Sequence, residues 1–75
     1  MGRFQIWGRV THTGPGEFLV VVTGMPEDSG ASPHVFTQAS PSRDAALVMR
    51  DVLMNRMGRE VRQLGGEISD AVEDS

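Results

Sequence analysis

Trp7 stands between Arg3 and Arg9 in a stretch where polar and apolar residues alternate, so all three side chains fall on one face of a strand. An indole flanked by guanidinium groups suits two kinds of binding chemistry. On an open sheet it can stack a nucleic-acid base while arginine meets the phosphates. At a protein surface, tryptophan and arginine are enriched among the side chains that anchor interfaces. A third reading is plain packing beneath a loop. Charge helps to separate them. The chain has seven basic residues, all arginine, and ten acidic ones, for a net charge of −3. Every arginine precedes Gly65, whereas Glu67, Asp70, Glu73 and Asp74 follow it without a base. The body is therefore nearly neutral and lacks the basic footprint of a nucleic-acid binder. A protein interface is the better reading of Trp7 and Arg9.

Other candidate chemistry is thin. His12 and His34 are far apart in sequence, with no cysteine and no H-x-x-x-H pair beside them, while zinc wants three or four ligands. No metal or cofactor is expected. Asp28, Ser29, Ser32 and His34 cluster in sequence, but nothing resembles a nucleophile elbow or an oriented base. Gly14-Pro15-Gly16 leads into a strand rather than a helix, so it is no phosphate loop. The reading is non-enzymatic. Methionine offers a different property, adaptable packing. Met49 and Met57 suit a core, whereas Met54, with Leu47, falls where sheet packing should run out and suits an interface.

These residues need elements to position them. Arg3 to Thr13 alternates as a first strand, and Thr13-Gly14-Pro15-Gly16 supplies turn chemistry. Glu17 to Thr23 is a second strand, pairing as a hairpin with Val10 near Val20. Within it, Phe18 to Val22 runs without a polar break and asks for burial on both faces. Gly24 to Pro33 is a loop by composition, and His34 to Gln38 a short third strand. Ser40-Pro41-Ser42 announces a helix from about Ser42 to Leu64, with Asp44 in its first turn. Ala46, Met49, Leu53, Met57, Val61 and Leu64 recur at spacings of three and four. With Ala45, Val48, Val52, Leu47 and Met54 beside them, the apolar arc exceeds half the circumference. Gly58 falls on the polar arc, where it can bend the helix. Gly65-Gly66 ends it. Glu67 to Ser75 reads as a loose acidic tail.

Several short stretches resemble HicB-type antitoxins. Gly16-Glu17-Phe18 is similar to that family's glycine-aromatic strand entry, and Pro26 stands near its proline after the strand. Ser42-Arg43-Asp44-Ala45-Ala46 resembles its Thr-x-Glu-Glu-Ala helix start, and Gly65-Gly66-Glu67-Ile68 its closing glycine and apolar residue. The family's Leu-Pro-Gly-Cys turn is absent, with Glu27 to Pro33 in its place, and nothing after Leu64 matches its DNA-binding segment. The resemblance implies a partial RNase H-like fold and the toxin-binding half of an antitoxin.

The expected fold is α+β: an antiparallel three-stranded sheet, a hairpin plus a third strand, with one long C-terminal helix on one face, in the order β-β-β-α. Residues 1–66 form the domain and 67–75 the acidic tail. One helix covers one face, so the other face needs a partner. At 75 residues without cysteine, the chain has a small core and no disulfide to reinforce it, which leaves oligomerisation. The expected function is a non-catalytic interaction domain that self-associates, most simply as a dimer, with an antitoxin-like role toward a small protein partner. Its interface residues are Trp7, Arg9, Leu19, Val21, Leu47 and Met54. The alternatives are nucleic-acid binding through Trp7, Arg3 and Arg9, and a small ligand at a dimer seam. No stretch approaches the ~20 apolar residues of a membrane span. Met1 to Trp7 contains no apolar run of signal-peptide length, and the expected location is the cytoplasm.

Overall fold

A computed structural model describes residues 2–28 and 30–74. The elements are β1 (Arg3–Gly14), β2 (Glu17–Pro26), β3 (His34–Ser40), α1 (Arg43–Gln63) and β4 (Glu67–Asp74). All four strands join one sheet in the order β3-β2-β1-β4. β2 is antiparallel to β1 and β3, whereas β4 runs parallel to β1.

That arrangement corrects the three-stranded antiparallel β-β-β-α expectation. The sheet is mixed, and residues 67–74 form a strand rather than a loose acidic tail, so the domain continues past residue 66. Four carboxylates in eight residues suggest a solvated coil, but an edge strand tolerates charge and even benefits from it. What holds β4 is distant in sequence. It pairs with β1 from Arg3↔Glu67 to Arg9↔Asp74, with a break in register at Ser69. There the Ser69 hydroxyl meets the Phe4 carbonyl oxygen at 3.1 Å and also the Glu27 carboxylate.

The hairpin pairs as expected, with Val10 opposite Val20 and a single irregularity between His12 and Gly14, but its second strand continues past Thr23 through Gly24, Met25 and Pro26, which were expected in the loop. Ser42 caps α1: its hydroxyl accepts the Ala45 N–H at 3.1 Å. At the other end Gly65 adopts φ 81°, its N–H bonds the Arg62 carbonyl, and the Gly66 N–H bonds the Val61 carbonyl. This paired closure needs a left-handed residue after the helix, and glycine supplies it at no steric cost.

The helix packs on one face of the sheet. Ile6 and Val10 from β1 and Val20 and Val22 from β2 are buried against Ala46, Leu53, Met57 and Val61 from α1. Phe4, Phe18, Phe36, Leu47, Met49, Met54 and Ile68 pack around them, partly buried. Gly58 does not fall on a polar arc, and α1 runs through it as one helix. The glycine is buried, and the Ile68 and Ile6 side chains approach it from the sheet. Gly8 has a similar use on β1, since a Cβ there would lie 2.5 Å from Met54 Sδ and 2.9 Å from Arg50 Cγ.

Arg50 ties the helix to the added strand. Its Nη2 donates to Glu73 Oε2 at 3.1 Å and its Nη1 to the Asp74 backbone oxygen at 3.3 Å. The Arg50 side chain is only 11% exposed, whereas that of Glu73 is 54% exposed, so the cation is shielded while its partner stays open to solvent. Its Nε lies 3.8 Å from Asp51 Oδ1 and has no hydrogen-bond partner among the described residues.

Candidate protein interface

Among the described residues, no element covers the face of the sheet opposite α1. Strand alternation decides what it shows. β1 contributes Arg3, Gln5, Trp7, Arg9 and Thr11, and β2 contributes Leu19, Val21, Thr23 and Met25, which are their cross-strand partners. β3 adds Val35, Thr37 and Ala39, and β4 adds Asp70, Val72 and Asp74. One row runs Val35, Thr23, Trp7, Val72 across the four strands, and the next runs Thr37, Val21, Arg9, Asp74.

Trp7 is 44% exposed, Met25 45% and Val35 52%, although each sits within a strand. Uncovered apolar side chains grouped on one face mark an interaction site more than singly scattered ones do. The indole N–H donates to Gln5 Oε1 at 3.3 Å, which sets the ring along its own strand. Arg9 Nε lies 3.7 Å from Asp74 Oδ2, with both side chains exposed. Around Trp7, Gly8, Val21 and Met25 the face dips into a depression of about 360 Å³.

Of the six interface residues expected from sequence, Trp7, Arg9, Leu19 and Val21 lie together on this face. Leu47 and Met54 do not. Both pack, partly buried, against the core, and Met54 rests over Gly8 on the far side of β1. The expected stripe through Ala46, Leu53, Met57 and Val61 is buried; the flank that tips toward the sheet is the Leu47 and Met54 side, and the exposed large apolar residues of α1 are Val48 and Val52. Sequence reading also missed Met25, Val35 and Val72. Parity could have found Met25, which is in phase with Val21 and Thr23. Val72 had no element to belong to until β4 was seen.

The histidines are separated rather than paired. His12 stacks on Phe18 near the β1–β2 turn, with ring centroids 4.7 Å apart, and His34 tilts against Phe4 at 6.1 Å, toward the other end of the sheet. Of the Asp28, Ser29, Ser32 and His34 group, Ser29 lies outside the described residues, and Asp28 and Ser32 are exposed on the loop. Among the described residues, no three His, Cys, Asp or Glu side chains converge as ligands for a metal ion. No helix of the described residues is long and apolar enough to cross a membrane.

Compared with models of protein families, with curated proteins and with solved structures, the chain matches none.

Proposed function

We propose that this chain is a non-catalytic interaction domain that self-associates through its uncovered sheet face. The observation that carries the reading is the half-exposed Trp7, grouped with exposed Met25 and Val35 on a sheet face that α1 does not cover. The occupant is a second copy. Among the described residues the core holds eight buried apolar side chains, so covering this face adds to a small core. The face also carries both signs of charge, with arginines on β1 and carboxylates on β4, so a copy of itself supplies complementary partners. The antitoxin-like role implied by the HicB resemblance would seat an unlike small protein on the same surface. A cytoplasmic setting belongs to the proposal, motivated by a chain without cysteine.

Nucleic-acid binding is the rival use of the face. Stacking by Trp7 is sterically open, but β4 lays Glu67, Asp70 and Asp74 alongside Arg3 and Arg9. Acidic groups beside Arg3 and Arg9 repel phosphate and argue against this use.

Trp7 fluorescence separates the two. If the face is covered by a second copy, emission is blue-shifted at micromolar concentration and moves to the red on dilution. Mixed-sequence single-stranded oligonucleotide at low salt then leaves it unchanged. An emission maximum that is red at every concentration and is quenched by oligonucleotide in a salt-sensitive way would replace the proposal with its rival.

A further inference from the structure

The two edges of the sheet differ in how they are defended. An edge strand exposes unpaired N–H and C=O groups, and proteins blunt it with charge, proline, bulges or a covering element. β4 is blunted twice: it carries Glu67, Asp70, Glu73 and Asp74, and its register breaks at Ser69. β3 has none of these devices. Its sequence, His34–Ser40, contains no Asp, Glu, Lys, Arg or Pro, and it pairs with β2 without interruption from Phe18↔Ser40 to Gly24↔His34. On it Val35 is half-exposed, and Thr37, Gln38 and Ala39 are exposed.

The helix flank above this edge mixes one cation with exposed apolar residues. The Arg56 guanidinium sits 5.4 Å from the centroid of the Phe36 ring, which fixes that flank of α1 toward β3. Val52 and Ala45 precede Arg56 by four and eleven residues, and helical spacing puts them on the same flank. Both are exposed, Val52 by 52%.

We infer that β3 pairs edge to edge with β3 of a second copy, antiparallel about a two-fold axis near Thr37, joining two sheets into one of eight strands. The occupant is a second copy because an antiparallel pair on a two-fold axis is self-complementary. A strand without charge also presents no like-charge clash with itself. Pairing about Thr37 sets Val35 opposite the partner's Ala39 and Phe36 opposite the partner's Gln38, so apolar residues of the uncovered face stay on one side. The inference rests on self-association but uses a contact separate from the Trp7 face. The joined sheet presents two such faces side by side, and stacking them produces an assembly larger than a dimer.

The chain has no cysteine, so single cysteines report without background. Val35→Cys, Thr37→Cys and Ala39→Cys sample the edge, Val21→Cys the uncovered face, and Asp70→Cys the opposite edge. Each variant is treated with a mild thiol oxidant at micromolar concentration, and its native mass is measured beforehand. The expected result is a disulfide-linked dimer that dominates at Thr37→Cys and falls several-fold at Val35→Cys and Ala39→Cys, with little at Asp70→Cys. Associated protein that links only through Val21→Cys would overturn the edge contact and leave the face reading standing. Associated protein that links at no position would also overturn the edge contact. A monomer that links nowhere would overturn both.

Discussion

Deleting residues 69–75 is expected to abolish cooperative folding rather than trim a dispensable tail. Three losses coincide. β1 becomes an edge and loses its parallel partner from Gln5 to Arg9. Ile68 remains but is no longer anchored by a strand, which uncovers Ile6 and Gly58 beneath it. Arg50, only 11% exposed, is left without Glu73 and the Asp74 carbonyl. Uncovering one large apolar side chain costs about 1.5–3 kcal/mol, and a domain of this size rarely has more than about 3–5 kcal/mol in reserve. Thermal and urea unfolding followed by circular dichroism check this. The expected trace for the truncated chain is broad and non-cooperative. A sharp transition at the full-length midpoint would mean that β4 is not part of the folded unit. Arg50→Gln in the intact chain gives a graded version, with a smaller loss and cooperativity retained.

Met57→Ala is expected to produce the largest loss from a single substitution, about 2–5 kcal/mol, the range for emptying a buried methionine or leucine site. Met57 is fully buried between Ile6, Val22 and the other core side chains. It rests on Gly24, where a Cβ would lie 2.9 Å from its sulfur. That contact supplies an internal control. Gly24→Ala alone overpacks the site and costs about 1–3 kcal/mol, whereas in the Met57→Ala background it loses its collision and costs less. The two changes are therefore non-additive, as neighbours in contact usually are. Denaturant unfolding of the four proteins closes the cycle. Additive losses would show that α1 sits on the sheet differently.

Where the sequence could be read, the signal was local. Alternation from Arg3 to Thr13, turn chemistry at Pro15-Gly16 and the capping serine before Arg43 each act within a few residues. The hairpin, its Val10↔Val20 pairing and the helix follow from them. The same parity put Trp7, Arg9, Leu19 and Val21 on a common face. What could not be read depends on distant partners. Glu67–Asp74 looks like solvated coil until β1 offers an unpaired edge and Arg50 offers a cation. The break at Ser69 also shifts the alternation, so no period-two pattern survives along β4. The helix stripe through Ala46, Leu53, Met57 and Val61 was legible, but an apolar arc extending to both sides of it left open which flank tips toward the sheet. Gly8 and Gly58 resolve it, because their missing side chains admit Met54 on one side and Ile68 on the other. Residue hydropathy cannot show that Met54 is drawn inward by a glycine on a strand 46 residues away.

The central claim is that Trp7 holds copies together, and native mass measured by light scattering during size exclusion tests it most directly. Wild type and Trp7→Ala are compared at matched micromolar concentrations. The account predicts a wild-type mass that is a multiple of 8.1 kDa. It predicts a lower mass for Trp7→Ala, with an unchanged unfolding transition at low concentration. If Trp7 is an anchor, association weakens by about 2 kcal/mol, roughly thirtyfold in Kd. A wild-type mass of 8.1 kDa, or a Trp7→Ala assembly that dilutes no differently from wild type, would contradict it.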